Sequence, residues 1–384
     1  MQCLLPPLSL YIHLPWCVQK CPYCDFNSHK AADETPYRRY ITALLADLAL
    51  EGVKAGDRPV ESIFLGGGTP SLFSPDDIRT VLDSCRSCLS LPDDCEITME
   101  ANPGTVEHGS LAAYREAGVT RLSIGAQSFS PRSLKSLGRI HGPKQIEDTF
   151  AEAQSAGFDS INLDLMFALP GQDRDMAAAD IAMLLELSPA HISYYQLTLE
   201  PNTVFFSRPP AVMPDEDTAW DIQEHGQQLL RDAGYEQYEI SAFARPGHRC
   251  HHNLNYWQFG DYLAIGAGAH GKLTSLDGET VRYQKPANPL QYMEHAVDGR
   301  LESLPVPISG ADLDFEFMLN VLRLSDGFSR QLLEDRIGEG RLRVRTTIDQ
   351  AVADGLLECP SVETWRPTSR GFQFLNDLQA RFLP

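Results

Sequence analysis

The regular alternation of strand and helix patterns over residues 1–240 is the feature that most constrains the fold. The strand-like runs are SLYIHLP (9–15), SIFLGGG (62–68), EITMEAN (96–102), RLSIGAQS (121–128), SINLDLMFALP (160–170) and HISYYQLTLEP (191–201). Residues 34–51, 145–157 and 176–187 carry apolar side chains at helical spacing, and Ser74-Pro75 opens another helix. Repeated βα units predict an α/β fold with a parallel sheet and right-handed crossovers. About six such units favour a partial, TIM-like (β/α)6 barrel, with a doubly wound open sheet as the alternative.

The pattern changes after residue 240. Residues 241–300 are rich in aromatic and histidine side chains and are expected to be a connecting region. Residues 301–384 predict a small, mostly helical, winged-helix-like domain. Its expected elements are short helices over 310–323, 329–337 and 342–354, a two-stranded wing within 355–371 and a last helix over 372–382.

Charge and cysteine content narrow the class of protein. The 384 residues carry a formal net charge of -20, which argues against a nucleic-acid partner because a phosphate backbone repels an acidic surface. The sequence contains no run of about 18 apolar residues, so we expect no transmembrane segment. Nine cysteines, an odd number with one tight cluster, do not suggest a disulfide framework. Reduced thiols indicate a cytoplasmic compartment.

Three of these cysteines, Cys17, Cys21 and Cys24, follow the first predicted strand with the spacing C-x3-C-x2-C. A structural zinc site closes with four protein ligands, whereas a [4Fe–4S] cluster on three cysteines keeps one iron open for another ligand. The alternative is a zinc site that is completed by a neighbouring side chain. The candidates for that fourth ligand are His13, Asp25 and His29.

Polar and glycine-rich segments coincide with the ends of the other predicted strands. GGGTP (66–70) would let the backbone approach a ligand and offer N–H donors. Carboxylates at Glu100 and Asp164 stand in apolar runs, where burial is costly unless they are paired. Arg139 supplies a fixed positive charge suited to a carboxylate, and Gln127 could bind hydroxyl groups. Because barrel chemistry lies at the carboxyl ends of strands, these segments predict one shared site.

The chain resembles the radical S-adenosylmethionine (SAM) superfamily in CVQKCPYC, GGGTP and MEANPG (99–104). The resemblance implies a [4Fe–4S] cluster on the three cysteines, whose open iron binds SAM. More narrowly, it resembles the oxygen-independent coproporphyrinogen III oxidase-like family over nearly its full length, in stretches that include YIHLPWCVQKCPYCDF, IGAQSF, LGRIH, NLDLMFALPGQ and FEFMLNVLRL. The residues expected at the SAM site are Tyr11, Tyr23, Phe26, Gly67, Gly68, Thr69, Glu100, Gln127, Arg139 and Asp164.

Two departures separate the chain from the dehydrogenases of that family. They carry a fourth cysteine where this chain has Phe26, and a longer segment before the cluster loop. Both departures resemble the branch of the family that is regarded as haem chaperones. The motif HNLNYW (252–257) is a second mark of that branch, although from the residues alone it could be a turn with a packed aromatic pair. The resemblance implies haem binding by His252, Asn253, Tyr256 and Trp257, with His251 and His270 as weaker candidates.

The sequence therefore predicts a haem chaperone that binds haem and delivers it to apo haem proteins such as respiratory enzymes. It would use a radical-SAM fold carrying a [4Fe–4S] cluster and SAM. The alternatives are an oxygen-independent coproporphyrinogen III dehydrogenase, whose activity we do not expect, or another radical-SAM enzyme such as a methyltransferase. We expect a cytoplasmic monomer or cluster-dependent dimer, with transient membrane association through its recipients.

Overall fold

The computed structural model describes residues 5–104, 110–301 and 304–384. The strands are β1 (Leu8–Leu14), β2 (Trp16–Cys17), β3 (His29–Lys30), β4 (Val60–Gly67), β5 (Glu96–Ala101), β6 (Arg121–Gln127), β7 (Ser160–Phe167), β8 (His191–Gln196), β9 (Glu236–Glu239), β10 (Ala242–Ala244), β11 (Asp261–Ile265), β12 (His270–Thr274), β13 (Thr280–Gln284), β14 (Val306–Ile308), β15 (Phe328–Ser329), β16 (Leu357–Ser361) and β17 (Thr364–Pro367).

The helices alternate with the first strands and dominate the last third of the chain. They are α1 (Tyr37–Ala55), a 3₁₀ turn (Pro70–Leu72), α2 (Pro75–Cys88), α3 (Leu111–Ala117), α4 (Pro131–Ser136), α5 (Pro143–Ser155), α6 (Arg174–Leu187), α7 (Val204–Ser207), α8 (Glu216–Asp232), α9 (His251–Trp257), α10 (Pro289–Val297), α11 (Gly310–Val321), α12 (Arg330–Ile337), α13 (Leu342–Ala353), α14 (Ser369–Gln373) and α15 (Leu375–Ala380). Within the described ranges, no helix is long and apolar enough to cross a membrane.

The central sheet confirms the predicted α/β fold. Among the described residues its strand order is β14-β13-β12-β11-β1-β4-β5-β6-β7-β8-β10-β9, and every pair from β11 to β8 is parallel. Strands β1, β4, β5, β6, β7 and β8 coincide with the six predicted runs and lie side by side in chain order. A doubly wound sheet would reverse direction, so that alternative does not hold. The parallel run continues at both ends into antiparallel strands, and closure as a partial barrel stays a prediction.

The segment 241–300, expected to be a connecting region, contributes strands to the central sheet. Strand β11 pairs in parallel with β1, with Leu10 opposite Leu263 and Ile12 opposite Ile265, and all four side chains are buried. Strands β12, β13 and β14 then extend the sheet in antiparallel pairs. The segment therefore forms a wall beside the strand that leads into the cysteine loop.

A buried cluster of ion pairs links the added strands of the sheet to helix α1. Lys285 Nζ lies 2.6 Å from Asp47 Oδ1 and 2.7 Å from Glu51 Oε1, and none of the three side chains is exposed. The Tyr283 hydroxyl donates to Glu51 over 2.6 Å. Buried charges are tolerated when they are paired and hydrogen-bonded, so this cluster fixes the position of β13 against α1.

The last part of the chain builds a second apolar core. Helices α11, α12 and α13 pack around Phe317, Val321 and Ile348, beside a three-stranded antiparallel sheet of β15, β17 and β16. These elements follow the predicted succession, except that the last helix is divided at Phe374 into α14 and α15. The winged-helix likeness stays a prediction. Arg323 connects this part to the rest through Glu239, whose Oε2 lies 3.0 Å from its Nη2.

Candidate cluster and cofactor site

The cysteine loop is held in place by its own backbone and by two neighbouring segments. Strand β2, which ends at Cys17, pairs in parallel with β3 across the base of the loop. The Cys24 N–H donates to the Cys21 carbonyl over 3.2 Å, and Lys20 Nζ donates to the carbonyls of Phe26 and Ser28 over 3.2 Å each. These contacts direct the three partly exposed cysteines towards one cavity.

The Cys17 and Cys24 thiols lie in surroundings that disfavour the free thiolate, which a bound metal cluster would stabilise. Burial raises the pKa of the Cys17 and Cys24 thiols, which favours the protonated form while no cation is near. Arg139 Nη1 lies 3.6 Å from the Cys21 sulfur and would stabilise a thiolate there. Because thiolates are the metal ligands, cluster binding releases these protons. The three cysteines and the flanking arginine therefore fit an iron–sulfur cluster.

The zinc alternative has less support from the proposed fourth ligands. His13 has Tyr11 Oη 3.0 Å from Nδ1 and the Asn27 carbonyl oxygen 2.9 Å from Nε2, so both ring nitrogens are engaged. His29 Nε2 lies 3.3 Å from the Asn27 side-chain oxygen.

A cavity of about 300 Å³ brings together most of the residues predicted for the SAM site. Of the predicted set, all but Tyr11 line it. The lining members are Cys17, Cys21, Tyr23, Cys24, Phe26, Gly67, Gly68, Thr69, Glu100, Gln127, Arg139 and Asp164. They come from the loops and carboxyl ends of five parallel strands, which is where a barrel-like sheet places its chemistry.

Two glycines of GGGTP, Gly67 and Gly68, are required for packing within the protein and also border the cavity. Gly67 has φ 104°, and a Cβ there would lie 2.2 Å from the ring of His13. A Cβ on Gly68 would lie 2.6 Å from the carbonyl oxygens of Leu14 and Trp16. Any side chain at either position would displace the cysteine loop. The glycines therefore hold the loop close to β4 and keep the backbone open to a ligand.

Two partly buried carboxyl groups, Glu100 and Asp164, face the cavity without a fully compensating cation. Glu100 accepts the Gly67 N–H over 3.0 Å, yet burial, followed by the nearby Asp164, raises its pKa to about 8. Burial also raises the pKa of Asp164, although Asn162 donates to its Oδ1 over 2.7 Å. A ligand with an ammonium or sulfonium group would stabilise the charged form of these acids.

Arg139 and Gln127 define the opposite wall. Arg139 Nη2 donates to Asn102 Oδ1 over 2.7 Å and to the Gly125 carbonyl over 2.6 Å, while its buried Nε has no partner among the described residues. Gln127 has φ 68°, a conformation that non-glycine residues seldom adopt, at a bulge where β6 leaves the sheet register. Backbone strain of this kind is concentrated at functional sites.

The sequence analysis missed several residues of the cavity wall. The Tyr195 hydroxyl donates to Gln127 Oε1 over 2.7 Å, and Asn102 Nδ2 donates to Thr69 Oγ1 over 2.9 Å. Ser123 also lines the cavity. All three lie on or directly after β5, β6 and β8, so polar side chains at these strand ends were the signal that could have identified them.

Tyr11 lies on the other side of the cysteine loop, in an adjoining groove. Its ring is 6.4 Å from Phe64 in a stacked arrangement, and its hydroxyl is bonded to His13. Phe26, Gly67 and Glu100 border both this groove and the SAM cavity. Phe26 is 56% exposed and stands between the two spaces.

The HNLNYW motif forms helix α9, which packs against β4. His252 is only 1% exposed, with Ser62 Oγ 3.0 Å from Nδ1 and Tyr256 Oη 3.2 Å from Nε2. Its ring stacks on Phe64 at 5.1 Å, and burial lowers its pKa to about 3. The imidazole is therefore neutral and fully engaged in this conformation, and the Glu96 carboxylate accepts the backbone N–H groups of His251 and His252.

The other motif residues are divided between interior and surface. Tyr256 borders the groove that contains Tyr11. Trp257 faces away from it, with the Arg323 guanidinium 4.1 Å from its ring. Asn253 is partly exposed, and His251 is exposed. The structure thus brings only Tyr256 of the four expected haem residues to a groove wall.

Residues 11–184 match the family model described as the Radical SAM superfamily. The protein named Heme chaperone HemW of Escherichia coli (strain K12) is 50% identical over 380 residues, covering 99% of both chains. The HemW of Haemophilus influenzae is 47% identical over 99% of this chain and 98% of that protein. The solved structure of E. coli coproporphyrinogen III oxidase (HemN), described as a radical SAM enzyme, superposes with a TM-score of 0.82 at 21% identity, over 98% of this chain and 90% of that one.

The fold and the cysteine loop define a radical SAM protein, with the HemN-like arrangement of sheet and helices. Within that superfamily, the relatives at 50% and 47% identity cover the chain from end to end. The chain belongs to the HemW family. The likeness to HemN, at 21% identity, establishes the fold alone.

Proposed function

We propose that this protein is a haem chaperone that binds haem and passes it to apo haem proteins. The observation that carries the proposal is the 50% identity to Heme chaperone HemW over 99% of both chains. Delivery would take place in the cytoplasm, where the cysteines stay reduced, and respiratory enzymes are the expected recipients.

The cofactor site supports a [4Fe–4S] cluster on Cys17, Cys21 and Cys24, with SAM beside it. Glu100 is placed to accept hydrogen bonds from an amino group, and Arg139 presents further N–H donors for a carboxylate. Gln127 and Asp164 offer oxygen acceptors for hydroxyl groups. When bound, such a cluster supplies an electron that can cleave SAM, and the protein's own part is to bind, orient and shield these groups.

Phe26 argues against the dehydrogenase alternative. It stands at the border of the SAM cavity and is more than half exposed, in the position where the dehydrogenases that the chain resembles carry a fourth cysteine. An apolar ring there can pack against a ligand, but it can neither transfer a proton nor bind a metal.

The test compares haem binding with porphyrinogen oxidation in the same preparation. The anaerobically reconstituted protein is titrated with hemin, mixed with an apo haem protein, and separately incubated with SAM, a reductant and coproporphyrinogen III. We expect stoichiometric hemin binding, transfer to the acceptor and no protoporphyrinogen. The proposal would be contradicted if protoporphyrinogen formed, or if the protein failed to bind hemin.

A further inference from the structure

The groove beside the SAM cavity has the walls that a flat aromatic ligand needs. We call it the outer groove, a space of about 590 Å³. Its wall residues include Tyr11, His13, Phe26, Tyr256, Tyr262 and His270. Tyr256 packs edge-to-face on Tyr262 at 4.4 Å, which fixes both rings as a rigid surface. Such walls gain free energy by covering a macrocycle of similar flatness.

His270 is the one histidine of this wall that is open to a ligand. It begins strand β12 and is exposed, and its ring forms no side-chain hydrogen bond within the described parts of the chain. The strand below it is rigid, since His270 pairs with Gln284 of β13 and the neighbouring Ala269 carbonyl accepts the Lys285 N–H over 2.8 Å.

The two other histidines near the groove lack that freedom. Both ring nitrogens of His13 are hydrogen-bonded, to Tyr11 and to the Asn27 carbonyl. Both ring nitrogens of His252 are engaged by Ser62 and Tyr256, and its ring is buried behind the groove wall. Either imidazole would have to give up the hydrogen bond at one ring nitrogen before that nitrogen could bind a metal, and His252 would also have to leave the core.

A second groove starts at His270 and is lined by two arginines. It shares His270 and Gln284 with the outer groove and is lined further along by Arg282, His295 and Arg300. Arg282 is paired with Glu316 at 2.6 Å and Arg300 with Asp298, so the groove offers N–H donors and not an excess of positive charge. Carboxylate groups attached to a macrocycle in the outer groove would find hydrogen-bond donors there.

We propose that His270 is the axial ligand of the haem iron, with the porphyrin in the outer groove against Tyr256 and Tyr262 and its propionates towards Arg282 and Arg300. On this view His252 is a positioning residue, which holds Tyr256 in the groove wall. The inference rests on the proposed haem-chaperone function, and it names the binding site that this function needs.

Hemin titration of four full-length proteins tests the inference. They are the wild type, His270→Ala, His252→Gln and His251→Ala, the last being a matched control at an exposed histidine outside both grooves. The readouts are hemin affinity and the Soret and low-temperature spin signatures of the axial ligand. We expect His270→Ala to lose about tenfold or more in affinity and to lose the imidazole signature. Added imidazole should restore that signature.

The other outcomes separate this inference from the function it rests on. If the wild type binds hemin and His270→Ala shows the same spectrum and affinity, His270 is not the ligand while the chaperone proposal stands. Loss of the imidazole signature in His252→Gln, with an unchanged melting temperature, would assign the ligand to His252 instead. Absence of hemin binding by the wild type would overturn the chaperone proposal and the inference together.

Discussion

The SAM cavity and the HNLNYW helix were both predicted as binding sites, and the structure gives them opposite characters. In the cavity, Glu100 and Asp164 are partly buried acids whose pKa values are raised by desolvation, which their neighbours do not fully offset. In the helix, the His252 ring is bonded at both nitrogens and buried. The cavity thus keeps polar groups whose partners are incomplete, as a ligand site requires. In the helix, the ring nitrogens of His252 already have their hydrogen-bond partners within the protein.

The difference has an energetic basis. Burying a carboxyl group without a strong partner costs free energy, which a cationic ligand can return on binding. A paired imidazole offers no such gain, because ligation must first break the hydrogen bond at the ligating nitrogen. Four experiments test whether the cavity and the helix differ in this way.

The largest effect concerns the cluster. Cys17→Ser, Cys21→Ser or Cys24→Ser removes one of three thiolates, and we expect near-complete loss of iron and sulfide after reconstitution because a cluster on two cysteines would expose two irons. Iron and sulfide analysis with visible absorption provides the measurement. Cys359→Ser, at an exposed cysteine remote from the loop, is the control and should retain wild-type iron. Full cluster content in any of the three loop variants would refute the assignment.

The second effect is on stability at the helix. His252→Ala removes two buried hydrogen bonds and a ring stacked on Phe64, so we expect the free energy of unfolding to fall by about 2–4 kcal/mol. Urea unfolding measures it. His251→Ala changes an exposed neighbour and should shift stability by about 0.5 kcal/mol or less. Equal, small effects of the two substitutions would show that His252 is not the structural residue described above.

The sequence was sufficient for what depends on local pattern. The six strand runs in chain order, the start of α2 after Ser74 and the three cysteines all follow from short-range signals, and Ser74 caps α2 by accepting the Asp77 N–H. The convergence of Glu100, Gln127, Arg139 and Asp164 on one cavity follows from a parallel sheet, because the carboxyl ends of its strands meet at one edge.

What the sequence did not reveal depends on contacts between distant segments. Strand β11 is a short apolar run whose parallel pairing with β1, about 250 residues earlier, leaves no local pattern. The burial of His252 could not be predicted from local sequence either, because its partner Ser62 lies 190 residues away on β4. The exposure of His270 likewise depends on its position at the start of β12 in the extended sheet, which the local sequence GAGAHG does not indicate.

The third effect concerns SAM affinity. Arg139→Gln keeps some hydrogen-bonding capacity but removes the charge that would face the SAM carboxylate, so we expect affinity to fall about tenfold or more. Equilibrium binding of SAM to the reconstituted protein measures it, and iron analysis checks that the contact with Cys21 is not the cause. Arg139→Lys should lose less, because it retains the charge. Unchanged affinity in Arg139→Gln at full cluster content would remove Arg139 from the SAM site.

The last effect that we expect is that of Glu100→Gln on the pH dependence of stability in the cluster-free protein. The folded-state pKa of Glu100 is about 8, well above its ordinary value of 4.5. Between these values the folded state keeps a proton that the unfolded state has released, so the wild type loses stability as pH rises through this window. Each pKa unit corresponds to about 1.4 kcal/mol, which makes even a reduced shift measurable. Glu100→Gln should match the wild type near pH 5 and fall away less steeply towards pH 8.5. Unfolding by urea across this range tests the slope, and parallel slopes would show that the Glu100 carboxyl group is already compensated without a ligand, as His252 is.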